Sequence, residues 1–231
     1  MSRSGGLPYH LKALLYRKSL WRVHEQATRS FLERWNPSEK ELILIGPSGG
    51  YSIPVGWLAH FDRISAYEPD LLARKIFERR HGMKPDWRGR FFPFGKPGAL
   101  KAFSGSAVLF SNLLGQIEIR NVRKLGAWLE EELQGLTWAS FHDALSGYGI
   151  DFDTEDAGRE RALLPVMKRW IHVRNPGVGR IEVLSHEAPD LFASFKNLQY
   201  SYWQWTLTPG HTFLTEGVFP GKVSVPEDES C

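Results

Sequence analysis

The residues of this chain best placed to do chemistry are a glycine-bearing turn and an acid about twenty residues beyond it. The turn is Gly46-Pro47-Ser48-Gly49-Gly50, and it interrupts the unbroken apolar run Leu42-Ile43-Leu44-Ile45. Glycines tolerate positive φ and leave backbone N–H groups bare, so a bulky polar ligand can sit against such a turn. The acid is Glu68, at the end of the apolar segment Ile64-Ser65-Ala66-Tyr67 and followed by Pro69 and Asp70. At that place a carboxylate accepts hydrogen bonds from ribose hydroxyls. Two further groups follow later strands. Ser111-Asn112 closes the apolar run Ala107–Phe110, and His142-Asp143 follows Leu136–Phe141. Asn112 reads either as a pocket residue, contacting a cofactor or a substrate amine, or as a turn cap. His142 is a candidate proton acceptor, with Asp143 beside it; the structural alternative is a helix cap and a locally bonded histidine.

These groups need elements to position them. Glu41–Ile45 reads as a buried strand, and Ile53, Trp57, Leu58 and Phe61 follow the turn at helical spacing. Pro69-Asp70 opens a helix that Arg79-Arg80-His81 and Gly82 close. Trp87–Phe94 is a poor candidate strand, and 120–134 is a helix with Val122, Leu125, Leu129 and Leu133 on one face. Strands alternating with helices at this spacing imply parallel crossovers. Upstream, Leu7–Trp35 reads as a helix with Leu11, Leu14, Leu15, Leu20, Trp21, Val23, Phe31 and Leu32 on a broken apolar face, packed on the sheet edge or over a pocket. Beyond Asp143 the rhythm breaks: Ser146-Gly147-Tyr148-Gly149, Asp151–Asp156 and Asn175–Gly179 read as loops, and a helix over Arg159–Trp170 meets Pro165. Leu198–Leu207 and Thr212–Phe219 form a terminal antiparallel hairpin, for which Pro209-Gly210 favours a loop longer than two residues. Alternation on the first of these strands sends Tyr200 and Tyr202 to one face, Trp203 and Trp205 to the other.

Composition narrows the class. With 231 residues, 42% hydrophobic and 13% aromatic, the chain can build a sizeable core. A formal charge of +3 permits a nucleic-acid partner without requiring one, and the cations from Arg74 to Arg90 read chiefly as a solvated helix face. One cysteine, Cys231, excludes an internal disulfide and a cysteine-rich metal site, and the eight histidines show no HxH or HExxH grouping. No apolar run is long enough to cross a bilayer and the start is not a secretory signal, so a cytoplasmic setting without membrane association is expected.

Taken together, the chain resembles the class I S-adenosylmethionine-dependent methyltransferases over roughly 41–219. Leu44–Gly50 is similar to the family's cofactor loop, Ala66-Tyr67-Glu68-Pro69-Asp70 to its ribose-acid motif, and 110–116 to the segment that joins cofactor to substrate. It departs from the pattern at Leu44, where an acid is usual, and at Ser48, where a second glycine is common. The resemblance implies a Rossmann-like, doubly wound α/β fold: a mostly parallel seven-strand sheet with a C-terminal antiparallel hairpin. An N-terminal helical extension (1–40), the main domain (41–221) and a tail (222–231) complete it. It also implies S-adenosylmethionine as cofactor, held by Gly46, Pro47, Ser48, Gly49, Gly50, Glu68, Pro69, Ser111 and Asn112, and an unidentified, small-molecule methyl acceptor. The rivals are a nicotinamide-dinucleotide enzyme, which lacks its Gly-x-Gly-x-x-Gly here, and a non-catalytic scaffold binding RNA or protein.

Overall fold

The computed structural model describes residues 6–114, 122–155, 157, 161–162, 164–174, 182–186 and 188–221. Its centre is β1 (Glu41–Ile45), which pairs in parallel with β2 (Arg63–Tyr67) on one edge and β4 (Ala107–Ser111) on the other. β1 is apolar on both faces because both are covered. Leu42 and Leu44 pack with one cluster, Ile43 and Ile45 with another. Outside β2 lies β3 (Asp86–Gly89), shorter than the expected Trp87–Phe94, and outside β4 lies β5 (Thr137–Tyr148), both parallel. The last two strands, β9 (Leu198–Thr208) and β10 (His211–Pro220), enter in reverse order. β10 lies antiparallel between β5 and β9. The path is therefore β3-β2-β1-β4-β5-β10-β9.

The seven strands expected are all on this path, and an eighth joins them. β5 outruns β4 by several residues, so β8 (Glu182–Ser185) pairs with Leu145–Tyr148 on the edge that β4 leaves open. A separate ribbon joins β6 (Ile150–Phe152) to β7 (Ile171–Val173). The segment 146–148, expected as loop, is thus strand. Its polar residues were misleading because they are buried against partners: Ser146 is 2% exposed and bonds His186. The hairpin loop is only Pro209-Gly210; Gly210 takes φ 80°, and a register shift between His211 and Thr212 absorbs the misfit of such a turn. The predicted alternation holds, with Tyr200 and Tyr202 in one core and Trp203 and Trp205 opposite.

The front helix is two helices, α1 (Leu7–Tyr16) and α2 (Arg22–Trp35), broken at 17–21. α2 buries Phe31, Leu32 and Trp35 against the sheet. Its close approach needs Gly217, where a Cβ would fall 2.6 Å from the Phe31 ring and 2.7 Å from Trp203. α1 overturns its expected polarity: Leu7, Leu11, Leu14 and Leu15 are 50–80% exposed, while His10 and Ala13 are buried. Periodicity could not have shown this, because α1 docks through hydrogen bonds. After the glycine turn no α-helix forms, only a 3₁₀ turn over Trp57–His60. Pro54 has no N–H to give and Gly56 sits at φ 90°, so the helical ladder cannot start. α3 (Leu71–His81) begins and ends as expected: the Asp70 carboxylate accepts from the amides of Leu72 and Ala73, and Gly82 takes φ 64° at the stop. α4 (Val122–Leu133) covers the other face, and α5 is one turn (Leu164–Met167) with Pro165 in it. The loop expected at 175–179 and the tail lie outside the described residues.

Candidate functional site

The C-terminal ends of β1, β2 and β4 converge on one cavity of about 400 Å³. Open α/β sheets place ligands at this edge, where the order of strands reverses about β1 and β4. The glycine turn contributes Gly46, Pro47 and Ser48, the end of β2 contributes Glu68, Pro69 and Asp70, and the end of β4 contributes Ser111, Asn112 and Leu113. Tyr51 and Ser52 line it from beyond the turn, Gly6 and Tyr9 from α1 and its cap.

Turn and acid are locked together. The Ser48 amide donates to Glu68 Oε2 at 2.8 Å, and the Asp70 amide donates to Oε1 at 3.0 Å. Ser48 can present its N–H because it adopts φ 50°, and Gly46 (φ 71°) lets Leu113 pack where a Cβ would be 2.9 Å away. Gly50, at φ 68°, backs onto His81 and Phe77. Glu68 is 6% exposed. Burial pushes its carboxyl above the ordinary glutamate value, against the pull of the two amide bonds. Each oxygen keeps a lone pair for a ligand.

α1 closes the cavity. His10 Nε2 donates to Asp70 Oδ2 at 3.2 Å, its Nδ1 lies 2.9 Å from the Tyr51 hydroxyl, and the Gly6 amide also reaches Asp70. Burial would raise the Asp70 carboxyl, but the Ala73 amide, His10 and the Leu72 amide hold it below the usual value. Burial raises the Tyr51 hydroxyl to about 12. Tyr9 is raised further, by burial first and then by the charges of Tyr51, Asp143 and Glu68, so its hydroxyl stays protonated. Asn112 donates its own amide to the Phe141 carbonyl, while its side-chain Oδ1 is buried with no hydrogen-bond partner among the described residues.

Of the nine residues expected at the cofactor, seven line this cavity: Gly46, Pro47, Ser48, Glu68, Pro69, Ser111 and Asn112. Gly49 and Gly50 sit behind it, shaping the turn. His142 and Asp143 do not emerge at a strand end; they lie inside β5 and point to opposite faces. His142, wholly buried, bonds Ser140 Oγ (3.0 Å) and Glu216 Oε1 (3.2 Å) and stacks on Phe192, away from the cavity lining. Asp143 faces the α1 side, where its charge is felt at Tyr9. Sequence reading missed Tyr9, Tyr51 and Ser52 as lining residues. Tyr51 and Ser52 directly follow the glycines, but neither residue type by itself marks a ligand contact.

No family model matches the chain, and no curated protein matches it in sequence. It is similar to solved methyltransferase structures. One is an S-adenosylmethionine-dependent methyltransferase from Clostridium acetobutylicum: 10% identity over 92% of this chain and 97% of that one, TM-score 0.43. A second is a sugar N-methyltransferase from Streptoalloteichus, at 11% identity over 95% of each chain and TM-score 0.43. A third is the magnesium protoporphyrin IX methyltransferase of Synechocystis with bound S-adenosylhomocysteine: 10% identity, 88% and 86% covered, TM-score 0.46. Among the described residues, no helix is long and apolar enough to cross a membrane.

Proposed function

We propose that this chain is an S-adenosylmethionine-dependent methyltransferase acting on a small-molecule acceptor. One observation carries the reading: the glycine turn and the Glu68 carboxylate meet in one cavity, joined by the 2.8 Å bond from Ser48. The donor set fits the cofactor's nucleoside. Glu68 offers acceptors for ribose hydroxyls, and the orphaned Asn112 Oδ1 offers one for an amino or hydroxyl donor. Topology favours this ligand over a dinucleotide. Dinucleotide-binding sheets continue in parallel beyond the fifth strand, whereas here an antiparallel β10 is inserted after β5. A cavity of about 400 Å³ also lies towards the small end of ligand sites, suiting one nucleoside rather than two.

When bound, S-adenosylmethionine supplies an activated methyl group on a sulfonium. The chain's own residues have then to bind, align and, where the acceptor carries a proton, take it. Asp143, on the face of β5 opposite His142 and near enough for its charge to raise the Tyr9 hydroxyl, is the better placed of the two acid–base candidates; His142 serves the packing of β5 against β10. The cytoplasmic setting expected from the sequence belongs to the same reading. Calorimetry tests it. Purified protein is expected to bind S-adenosylhomocysteine at one site and not to bind reduced nicotinamide dinucleotide; folded protein that binds neither, or only the dinucleotide, overturns it.

A further inference from the structure

Ser52 lines the cavity but is 8% exposed, and its only hydrogen-bond partner among the described residues lies behind it, in α2. His24 there is 1% exposed and stacks on Trp205 at 4.6 Å. Its Nδ1 lies 2.9 Å from Trp203 Nε1, and its Nε2 lies 2.8 Å from Ser52 Oγ. These contacts have only one consistent polarity. An indole N–H can donate and cannot accept, so His24 Nδ1 must accept and carries no proton. A doubly protonated ring would set two N–H groups against each other. Burial, which pushes His24 down to about 3, forbids that form independently. The ring is therefore neutral with its proton on Nε2, and Nε2 donates to Ser52 Oγ. The serine hydrogen is left over. Among the described residues the hydroxyl has no other hydrogen-bond partner, and the cavity is the open space beside it.

We infer that Ser52 is a ligand-binding residue whose hydroxyl is fixed as a donor by the chain Trp203→His24→Ser52, and that it donates to a carboxylate. This rests on the function proposed above. Within that reading the cofactor's nucleoside falls to Glu68, which can only accept, while its amino-acid end carries the one anionic acceptor. Trp203 and His24 act as positioning residues, 179 positions apart in sequence and both remote from the ligand.

The test compares two ligands that share a nucleoside, S-adenosylhomocysteine and 5′-methylthioadenosine, of which only the first has the amino-acid end. Ser52→Ala is expected to weaken S-adenosylhomocysteine roughly 10- to 100-fold while leaving 5′-methylthioadenosine within about twofold. Trp203→Phe, which removes the indole donor, is expected to weaken S-adenosylhomocysteine less, and to have no further selective effect in the Ser52→Ala background. Ser52→Thr keeps the hydroxyl and is expected to retain most of the discrimination. Equal loss of both ligands in Ser52→Ala, or loss of neither, overturns the assignment of Ser52 and leaves the proposed function standing. Wild-type protein that binds neither ligand overturns the function itself.

Discussion

Glu68→Gln separates a binding residue from a strut, because the proposed ribose contacts would use the lone pairs that the two amide bonds leave free. Its oxygens accept from the amides of Ser48 and Asp70 at 2.8 and 3.0 Å. Glutamine can accept only one of these; its NH₂ must face the other N–H. A buried donor left without an acceptor costs about 1–3 kcal/mol, offset in part because a neutral side chain no longer pays for desolvation. A net loss of about 1–2 kcal/mol lowers the melting temperature by roughly 2–8 °C in a chain of this size. Ligand binding should lose more. Hydrogen bonds from ribose hydroxyls to a charged carboxylate are worth about 1.5–3 kcal/mol, so S-adenosylhomocysteine should bind roughly 10- to 150-fold more weakly. Titration calorimetry and differential scanning calorimetry on the same preparation read both effects. Unchanged affinity with reduced stability would make Glu68 a strut alone and refute its role in ribose recognition.

The same carboxyl sets a pH dependence. Burial raises it above the ordinary glutamate value, so affinity should be full above that raised value and fall as pH drops through it. Its contribution to stability runs the other way: a raised acid favours the folded state below its unfolded pKa, and that contribution is lost as pH rises through the folded value. Affinity titrations from pH 4 to 8 should show an acid limb that Glu68→Gln removes. Gly50→Ala would place a Cβ 2.4 Å from His81 and 2.7 Å from Phe77 at φ 68°, and should cost roughly 2–5 kcal/mol by denaturant unfolding. Gly56→Ala, at φ 90° with nothing within 4 Å, should cost only the backbone strain, about 1–2 kcal/mol. Glu132→Ala strips the acceptor from the amides of Gly98, Leu100 and Lys101 and should cost roughly 3 kcal/mol or more, read by the same unfolding curves.

What could be read from the sequence was what short-range physics writes there. The β1 run, the glycines at positive φ, and the Asp70 and Gly82 caps of α3 each depend on neighbours within a few positions. Glu68 was legible because the crossover from β1 to β2 has a narrow range of lengths. The rest depends on contacts made across the chain. His10 reaches Tyr51 and Asp70 over 41 and 60 positions, and this inverts α1 and brings Tyr9 to the cavity. His24 joins Ser52 to Trp203, so no local pattern marks any of the three. The extension of β5 was hidden because His142, Asp143 and Ser146 look like strand-end and loop residues until β10 and β8 supply their partners.

β5 also shows why one strand can carry polar residues of two kinds. Ser140 and His142 share the face that meets Glu216 and the Phe192 ring, where His142 bridges Ser140 Oγ and Glu216 Oε1 among core side chains. Asp143 turns to the opposite face, towards α1, where its charge is felt at Tyr9, a residue of the cavity lining. A one-residue slip in the pairing of β5 with β4 would exchange these environments, sending an imidazole to the α1 side and a carboxylate under Phe192. The apolar alternation of Trp138, Ala139 and Phe141 between the two cores forbids that slip. Which side of the sheet each polar group reaches is therefore set by packing lower in the same strand. The carboxylate faces the α1 side because Trp138 and Phe141 leave it no other face.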